Sequence, residues 1–190
     1  MLMNKKIIGY DAKRIVRNGT GLGSYGRTLI NDLAPLMPDT KLRLYAPDAG
    51  RDDLRNQVEL RDNVKFCYPD HLRFRLQRDW WRVKGVVKDL KADGVELYHG
   101  LSGELPSGLA AAGIPGVVTV HDLIFLRHPE FYPAIDVFFY KRKFYQTLRE
   151  ASRIIAISEC TKRDILYYGD FPEDKIDLVY QSCKIGRAHV

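Results

Sequence analysis

Cysteine is scarce in this sequence. It holds three in 190 residues, at Cys67, Cys160 and Cys183, far apart and without any C-x-x-C pairing. An odd, scattered set gives neither a disulfide framework nor zinc-ligand spacing, so the chain reads as a cytoplasmic protein with free thiols. Long apolar runs are missing too: no stretch approaches the roughly 18 apolar residues of a membrane span. Met1 to Lys6 leads into only a few apolar residues with no small-residue cleavage site, which excludes a signal peptide. No internal repeat, low-complexity segment or nucleic-acid reader motif is found, so sequence-specific nucleic-acid binding is not expected.

What is present is ordinary globular composition. An apolar fraction of 45% and a charged fraction of 28% are enough to build and solvate a hydrophobic core, and the length fits one domain. The net charge of +6 arises from 30 basic against 24 acidic residues. Part of it is gathered in Arg73, Arg75, Arg78, Arg82 and Lys84, and again in Lys141, Arg142, Lys143 and Arg149, on two segments with helical patterning. Solvated helix faces account for each group taken alone. Together with Trp80, Trp81, Phe138 and Phe139 they also fit a module that docks on an anionic membrane surface.

The chain is organised around its first 33 residues. Lys6 to Tyr10 is a short apolar run suited to an inner parallel strand. Asn18, Gly19, Gly21 and Gly23 then form a glycine-rich loop, and Leu22, Tyr25, Leu29, Ile30 and Leu33 recur at helical spacing up to Pro35. A helix opening on glycines offers free N–H groups and a positive dipole end to a phosphate. Gly21, Gly23 and Gly26 also spell the dinucleotide pattern G-x-G-x-x-G, and Asp48 follows the next strand, so a nicotinamide-dependent oxidoreductase using Gly21–Gly26 is one alternative. In that pattern the glycines follow the strand directly. Here Ala12 to Thr20 intervene, as a loop long enough to reach away from its own sheet.

Six further strands are expected at Lys41–Ala46, Asn63–Tyr68, Val95–His99, Gly116–Val120, Arg153–Ile157 and Lys175–Gln181. Between them lie a long amphipathic helix over Asp70–Lys91, with Leu72, Leu76, Trp80, Val83 and Val87 as its apolar face, and a helical turn at Gly108–Gly113. Leu123–Pro133 reads as a loop, Ala134–Ala151 as a helix, and Ser158 as the N-cap of a helix through Tyr168. The alternation predicts an α/β fold with a doubly wound, mostly parallel sheet. Ligands of such sheets bind beyond the carboxyl ends of the strands, where Asp11, His99, His121 with Asp122, and Ser158 with Glu159 are placed. Ile185 to Val190 breaks all preceding periodicity, so residues 1–183 read as the native domain and 184–190 as a non-native tail from adapter read-through.

With the segments GTGLGSYGRTLINDL, VVTVHDLIFLRHPEFY, RIIAISECTKRDI and DKIDLVYQSC in this order, the chain resembles the N-terminal, acceptor-side domain of family 4 glycosyltransferases of the GT-B fold, in particular mannosyltransferase-like members that build surface polysaccharides. The resemblance implies that Gly21 and Gly23 lie near the diphosphate of a nucleotide-sugar donor, and that His121 sits beside the transferred hexose as the catalytic-site residue. His99, Glu104 and Asp122 become candidate contacts to a glycan or lipid-linked acceptor. It further implies a retaining transfer with no cofactor or divalent cation, in keeping with the lack of a D-x-D-like pair, while the basic, aromatic helices suit peripheral contact with the inner membrane face. The family's donor-binding second domain has no counterpart in these residues. The chain alone is therefore expected to be inactive, with the missing C-terminal domain completing the cleft in cis.

Overall fold

The computed structural model describes residues 6–70 and 74–181. The expected tail, Cys183, Leu72 and Arg73 lie outside the described residues. Short apolar, β-branched segments form seven strands: β1 (Ile7–Asp11), β2 (Lys41–Tyr45), β3 (Val64–Cys67), β4 (Leu97–Gly100), β5 (Gly116–Val120), β6 (Ala151–Ala156) and β7 (Ile176–Leu178). They make one sheet in the order β3-β2-β1-β4-β5-β6-β7. Every pairing is parallel, as in a Rossmann-like sheet. Around it lie α1 (Lys13–Arg17), α2 (Gly21–Leu36), α3 (Asp52–Arg55), α4 (Arg75–Trp80), α5 (Val86–Ala92), α6 (Ile124–Arg127), α7 (Ala134–Glu150) and α8 (Glu159–Gly169). Ser158 does cap α8, its Oγ accepting the Thr161 N–H at 3.1 Å.

Both faces of the sheet are covered. On β2, Leu42 and Leu44 join Ile15 and Ile30 in one buried cluster, while the adjacent Tyr45 joins Leu90, Val118, Ile154 and Ile165 in the other. That alternation is the two-residue period of a strand. Burying each such aliphatic side chain contributes about 1.5–3 kcal/mol.

Several sequence expectations are corrected. Ala12–Thr20 is no projecting loop, because it contains α1; Gly21, Gly23 and Gly26 lie inside the first turns of α2. Pro35 does not stop α2, which runs to Leu36; a proline in the last turn forfeits only one bond back to the preceding turn. Gly108–Gly113 is a string of turns, and Leu123–Pro133 carries α6 and a 3₁₀ turn at Pro129–Phe131.

The long helix is broken by a π turn at Trp81–Gly85. Its wider i→i+5 winding inserts an extra residue, so the buried positions Trp81, Val86 and Leu90 step by five and then four. Of the stripe expected to face the core, Val87 packs against it, but Leu76, Trp80 and Val83 face out, at 83%, 64% and 48% exposed.

Helices α1 and α2 meet at backbone distance. A Cβ on Gly23 would lie 1.9 Å from the Asn18 carbonyl oxygen, and one on Gly26 2.8 Å from Ile15 Cγ1, whereas one on Gly21 meets nothing within 4 Å. Gly23→Ala is accordingly expected to lose about 2 kcal/mol, since the clash is with backbone. Gly21→Ala should be neutral or gain a few tenths of a kcal/mol from its higher helix propensity. Urea-denaturation midpoints of the two variants check this opposition in sign.

Candidate functional site

The site is built outward from the carboxyl edge of the sheet. β5 ends at Val120, and His121 follows directly. Its ring is held on three sides. Nε2 lies 2.9 Å from the Leu101 carbonyl oxygen, which only accepts, so Nε2 carries the proton and donates. Nδ1 is then the lone-pair nitrogen and accepts from Gln181 Nε2 at 2.8 Å. The Tyr25 ring meets the imidazole edge-on, with centroids 5.0 Å apart. Burial pushes the His121 pKa down, opposed by the Leu101 carbonyl and by Asp122, which favours the neutral form with this tautomer.

Tyr25 is itself anchored. Its hydroxyl lies 3.2 Å from Thr119 Oγ1, and that same oxygen lies 2.9 Å from His99 Nε2. His99 is therefore inside β4 and not in the loop beyond it. It is only 8% exposed, and burial lowers its pKa to about 4. The structure places it behind the site, where it supports Tyr25 through Thr119.

The N-terminus of α2 is capped from upstream. Asn18 Oδ1 accepts from the Thr20 N–H at 2.9 Å, the Thr20 hydroxyl at 2.8 Å and the Gly23 N–H at 3.3 Å. Gly23 is thus buried with its amide engaged, while the amides of Gly21 and Leu22 belong to the open first turn, which contains no acidic residue. Arg27 is buried beneath this turn. Its Nη1 donates to the carbonyls of Ile15 and Asn18, both at 2.9 Å, and so ties the end of α1 to α2. Leu22 and Arg14 line a cleft of about 310 Å³ together with His121, Asp122 and Glu104. The helix opening and the imidazole therefore share one rim.

Asp122 Oδ1 accepts the Ile124 N–H at 3.2 Å, two residues on, and so fixes the turn that leads into α6. Glu104 sits in a charge network that sequence reasoning missed. Arg82, read there as part of a solvated face, is largely withdrawn from solvent, its side chain 12% exposed: its Nη2 lies 2.7 Å from Asp11 Oδ2 and its Nη1 2.5 Å from Glu104 Oε2. Lys143 Nζ adds a contact to Glu104 at 3.2 Å. Burial alone would raise the Glu104 carboxyl, but Arg82 and Lys143 outweigh it and hold its pKa at about 2. The π turn aims Arg82 inward and frees the Val83 carbonyl to accept the Ser107 N–H at 2.7 Å, tying the Glu104 loop to that helix. Nothing in the local sequence announces such a turn. Among the described residues no group of three or more His, Cys, Asp or Glu side chains is arranged to hold a metal ion.

Comparison with known proteins bears on this geometry. The family model for Glycosyltransferase Family 4 matches residues 21–183. O-antigen chain mannosyltransferase B of Escherichia coli is 25% identical over 175 residues, covering 86% of this chain and 44% of that protein. The chain thus spans less than half the length of this relative. Among solved structures, the apo lipopolysaccharide outer core galactosyltransferase WaaB superposes with a TM-score of 0.54 at 13% identity, over 96% of this chain and 46% of its own. A glycosyltransferase from Rickettsia africae superposes with a TM-score of 0.54 at 13% identity, over 93% and 43%. At such identities the two structures establish a shared fold.

The buried histidine gives a pH prediction. Between about pH 6.5 and pH 4 the unfolded chain protonates His99 and the folded chain does not, so stability is full above 6.5 and falls as the pH drops to 4. The depressed Glu104 carboxyl extends the loss below its ordinary value, toward pH 2. The His99 contribution is about 3 kcal/mol at full effect. Urea midpoints measured from pH 7 to pH 4 should show this slope, and His99→Gln should flatten it.

Proposed function

The chain belongs to Glycosyltransferase Family 4, and from this premise we propose that it is the acceptor-side half of a cleft that moves a hexose from a nucleotide-diphosphate sugar to a glycan or lipid-linked acceptor. The observation that carries the reading is the shared rim: a helix N-terminus free of acidic residues and a neutral imidazole at a strand end line one cleft. In glycosyl transfer the sugar gains oxocarbenium character while the leaving diphosphate gains negative charge. Amides at Gly21 and Leu22, reinforced by the α2 dipole and by Arg14, stabilise those oxygens without reorganisation and without a metal. In this reading Gly23 serves the diphosphate indirectly, by letting α2 close on α1.

His121 presents an acceptor nitrogen, Nδ1, where Gln181 now bonds, and a sugar hydroxyl takes that place when donor binds. Tyr25, Thr119 and His99 hold the ring in position. Asp122 and Glu104 face the acceptor. The match to a mannosyltransferase of O-antigen synthesis supports mannose as the sugar and surface polysaccharide as the product, with retained anomeric configuration. A second domain, of which the relative's greater length leaves room, supplies the rest of the donor site. Among the described residues no helix is long and apolar enough to cross a membrane, and the proposed location is the cytoplasmic face, held peripherally. A nicotinamide reading is not favoured, because α1 separates the glycines from β1 and places them inside α2.

The test is a transfer assay with the reading frame extended through the second domain. The extended enzyme should turn over a nucleotide hexose, and His121→Ala should lower kcat by about 10²-fold, as for loss of one preorganised polar contact at the reacting sugar. The 190-residue chain alone should show no turnover. Unchanged kcat in His121→Ala refutes the assigned role.

A further inference from the structure

His121 has four attachments, and they differ in kind. Three come from packed elements. The Leu101 carbonyl that accepts from Nε2 belongs to a buried residue just after β4. The Tyr25 ring stands on α2, and the buried Thr161 of α8 donates its hydroxyl to the His121 carbonyl at 3.0 Å. The fourth is Gln181, whose side-chain amide donates to Nδ1 at 2.8 Å from an exposed position.

The segment that carries Gln181 is tied to the sheet only at its start. The Val179 N–H donates to the Ala156 carbonyl at 3.0 Å and closes the β6–β7 ladder. Beyond it, the backbone of Tyr180 and Gln181 makes no hydrogen bond to another described residue. Val179 and Tyr180 turn their side chains outward, 52% and 67% exposed. Among the described residues, the hydrogen bond that brings this segment over the cleft rim is therefore the one from the Gln181 carboxamide.

A positioning role does not account for that contact. The Leu101 carbonyl already sets the Nε2–H tautomer, and Tyr25 and Thr161 hold the residue from two further sides. What the amide does is occupy. It places an N–H on the ring's one lone pair, as a sugar would place an O–H. A hydrogen bond of this kind shifts an equilibrium by only about three- to tenfold. That is enough to fill the nitrogen at rest and little enough for a bound substrate to displace.

We propose that Gln181 is an autoinhibitory latch: its carboxamide stands in for a substrate hydroxyl on His121 Nδ1, and its displacement frees Val179–Gln181 from the rim, so that filling of the cleft is conveyed to the chain beyond β7. The inference rests on the glycosyl-transfer reading for the identity of the displacing hydroxyl. By linkage the coupling is reciprocal: whatever draws the segment off the rim favours substrate by the same factor.

Gln181→Ala and Gln181→Glu test the latch, with circular dichroism as the check on folding. In the 190-residue chain, Gln181→Ala should speed hydrogen exchange of the Val179 amide by about three- to tenfold. The imidazole nitrogen NMR spectrum should keep the Nε2–H form and show Nδ1 freed. Gln181→Glu should raise the His121 pKa, because a carboxylate beside Nδ1 favours the imidazolium. In the enzyme extended through its second domain, with GDP-mannose as donor, Gln181→Ala should lower KM by about three- to tenfold. Gln181→Glu should raise it, since a protonated Nδ1 has no lone pair to offer. Unchanged Val179 exchange in Gln181→Ala, a switch of tautomer in that variant, or an equal or higher KM overturns the latch. No sugar enters the exchange measurement, so its failure leaves glycosyl transfer standing. Absence of turnover with GDP-mannose counts against the transfer reading, and the latch is then decided by exchange alone.

Discussion

In an all-parallel sheet every strand delivers its carboxyl end to the same edge, and the chemistry of this molecule is gathered by that constraint. Asp11 at the end of β1, the loop carrying Glu104 after β4, and His121 after β5 come from distant parts of the sequence, yet adjacent strands bring them to one rim. The parallel arrangement also forces a crossover after each strand. The first crossover, through α1 and α2, returns the chain over that same rim and brings the α2 opening to the cleft that His121 lines. Position here follows from topology first and from side-chain contacts second.

The second constraint is the closeness of α1 to α2. It depends on the absence of a side chain at Gly23, on Asn18 as a cap acting from upstream, and on a buried guanidinium bridging two carbonyls. A cation so deep, in no ion pair with a described carboxylate, costs desolvation, and burial lowers the Arg27 pKa against the opposing influence of Asp53. Carbonyls at the end of α1 are the acceptors available to offset that cost. The glycines long associated with nucleotide loops therefore act here chiefly on helix packing, and only Gly21 is left open toward solvent.

Much of this was legible in the sequence. Apolar segments such as Gly116–Val120 gave the strands and their parallel pairing, because a strand covered on both faces has little choice but to be continuously apolar. The position of His121 at the carboxyl edge of the sheet is legible from its place directly after such a strand. What stayed hidden depended on phase and on distance. Leu76, Trp80 and Val83 obey helical spacing well, and the periodicity pointed the wrong face inward because one extra residue in the π turn resets the angle. The same reset conceals Arg82, whose partners lie 71 and 22 residues away. His99 was placed one step too far along its strand, and a buried hydrogen bond to Thr119 fixes it in the core.

The widened turn at Trp81–Gly85 also limits how this region tolerates change in length. Deleting a single codon there would restore ordinary α winding and rotate everything upstream by about 100° relative to α5. Trp81 would leave the interior, the guanidinium two carboxylates depend on would swing to solvent, and both acids would be stranded in a low-dielectric wall. Length variation between homologous chains is thus expected in the turns on either side of this segment, and the five residues themselves should be carried through as an indivisible unit.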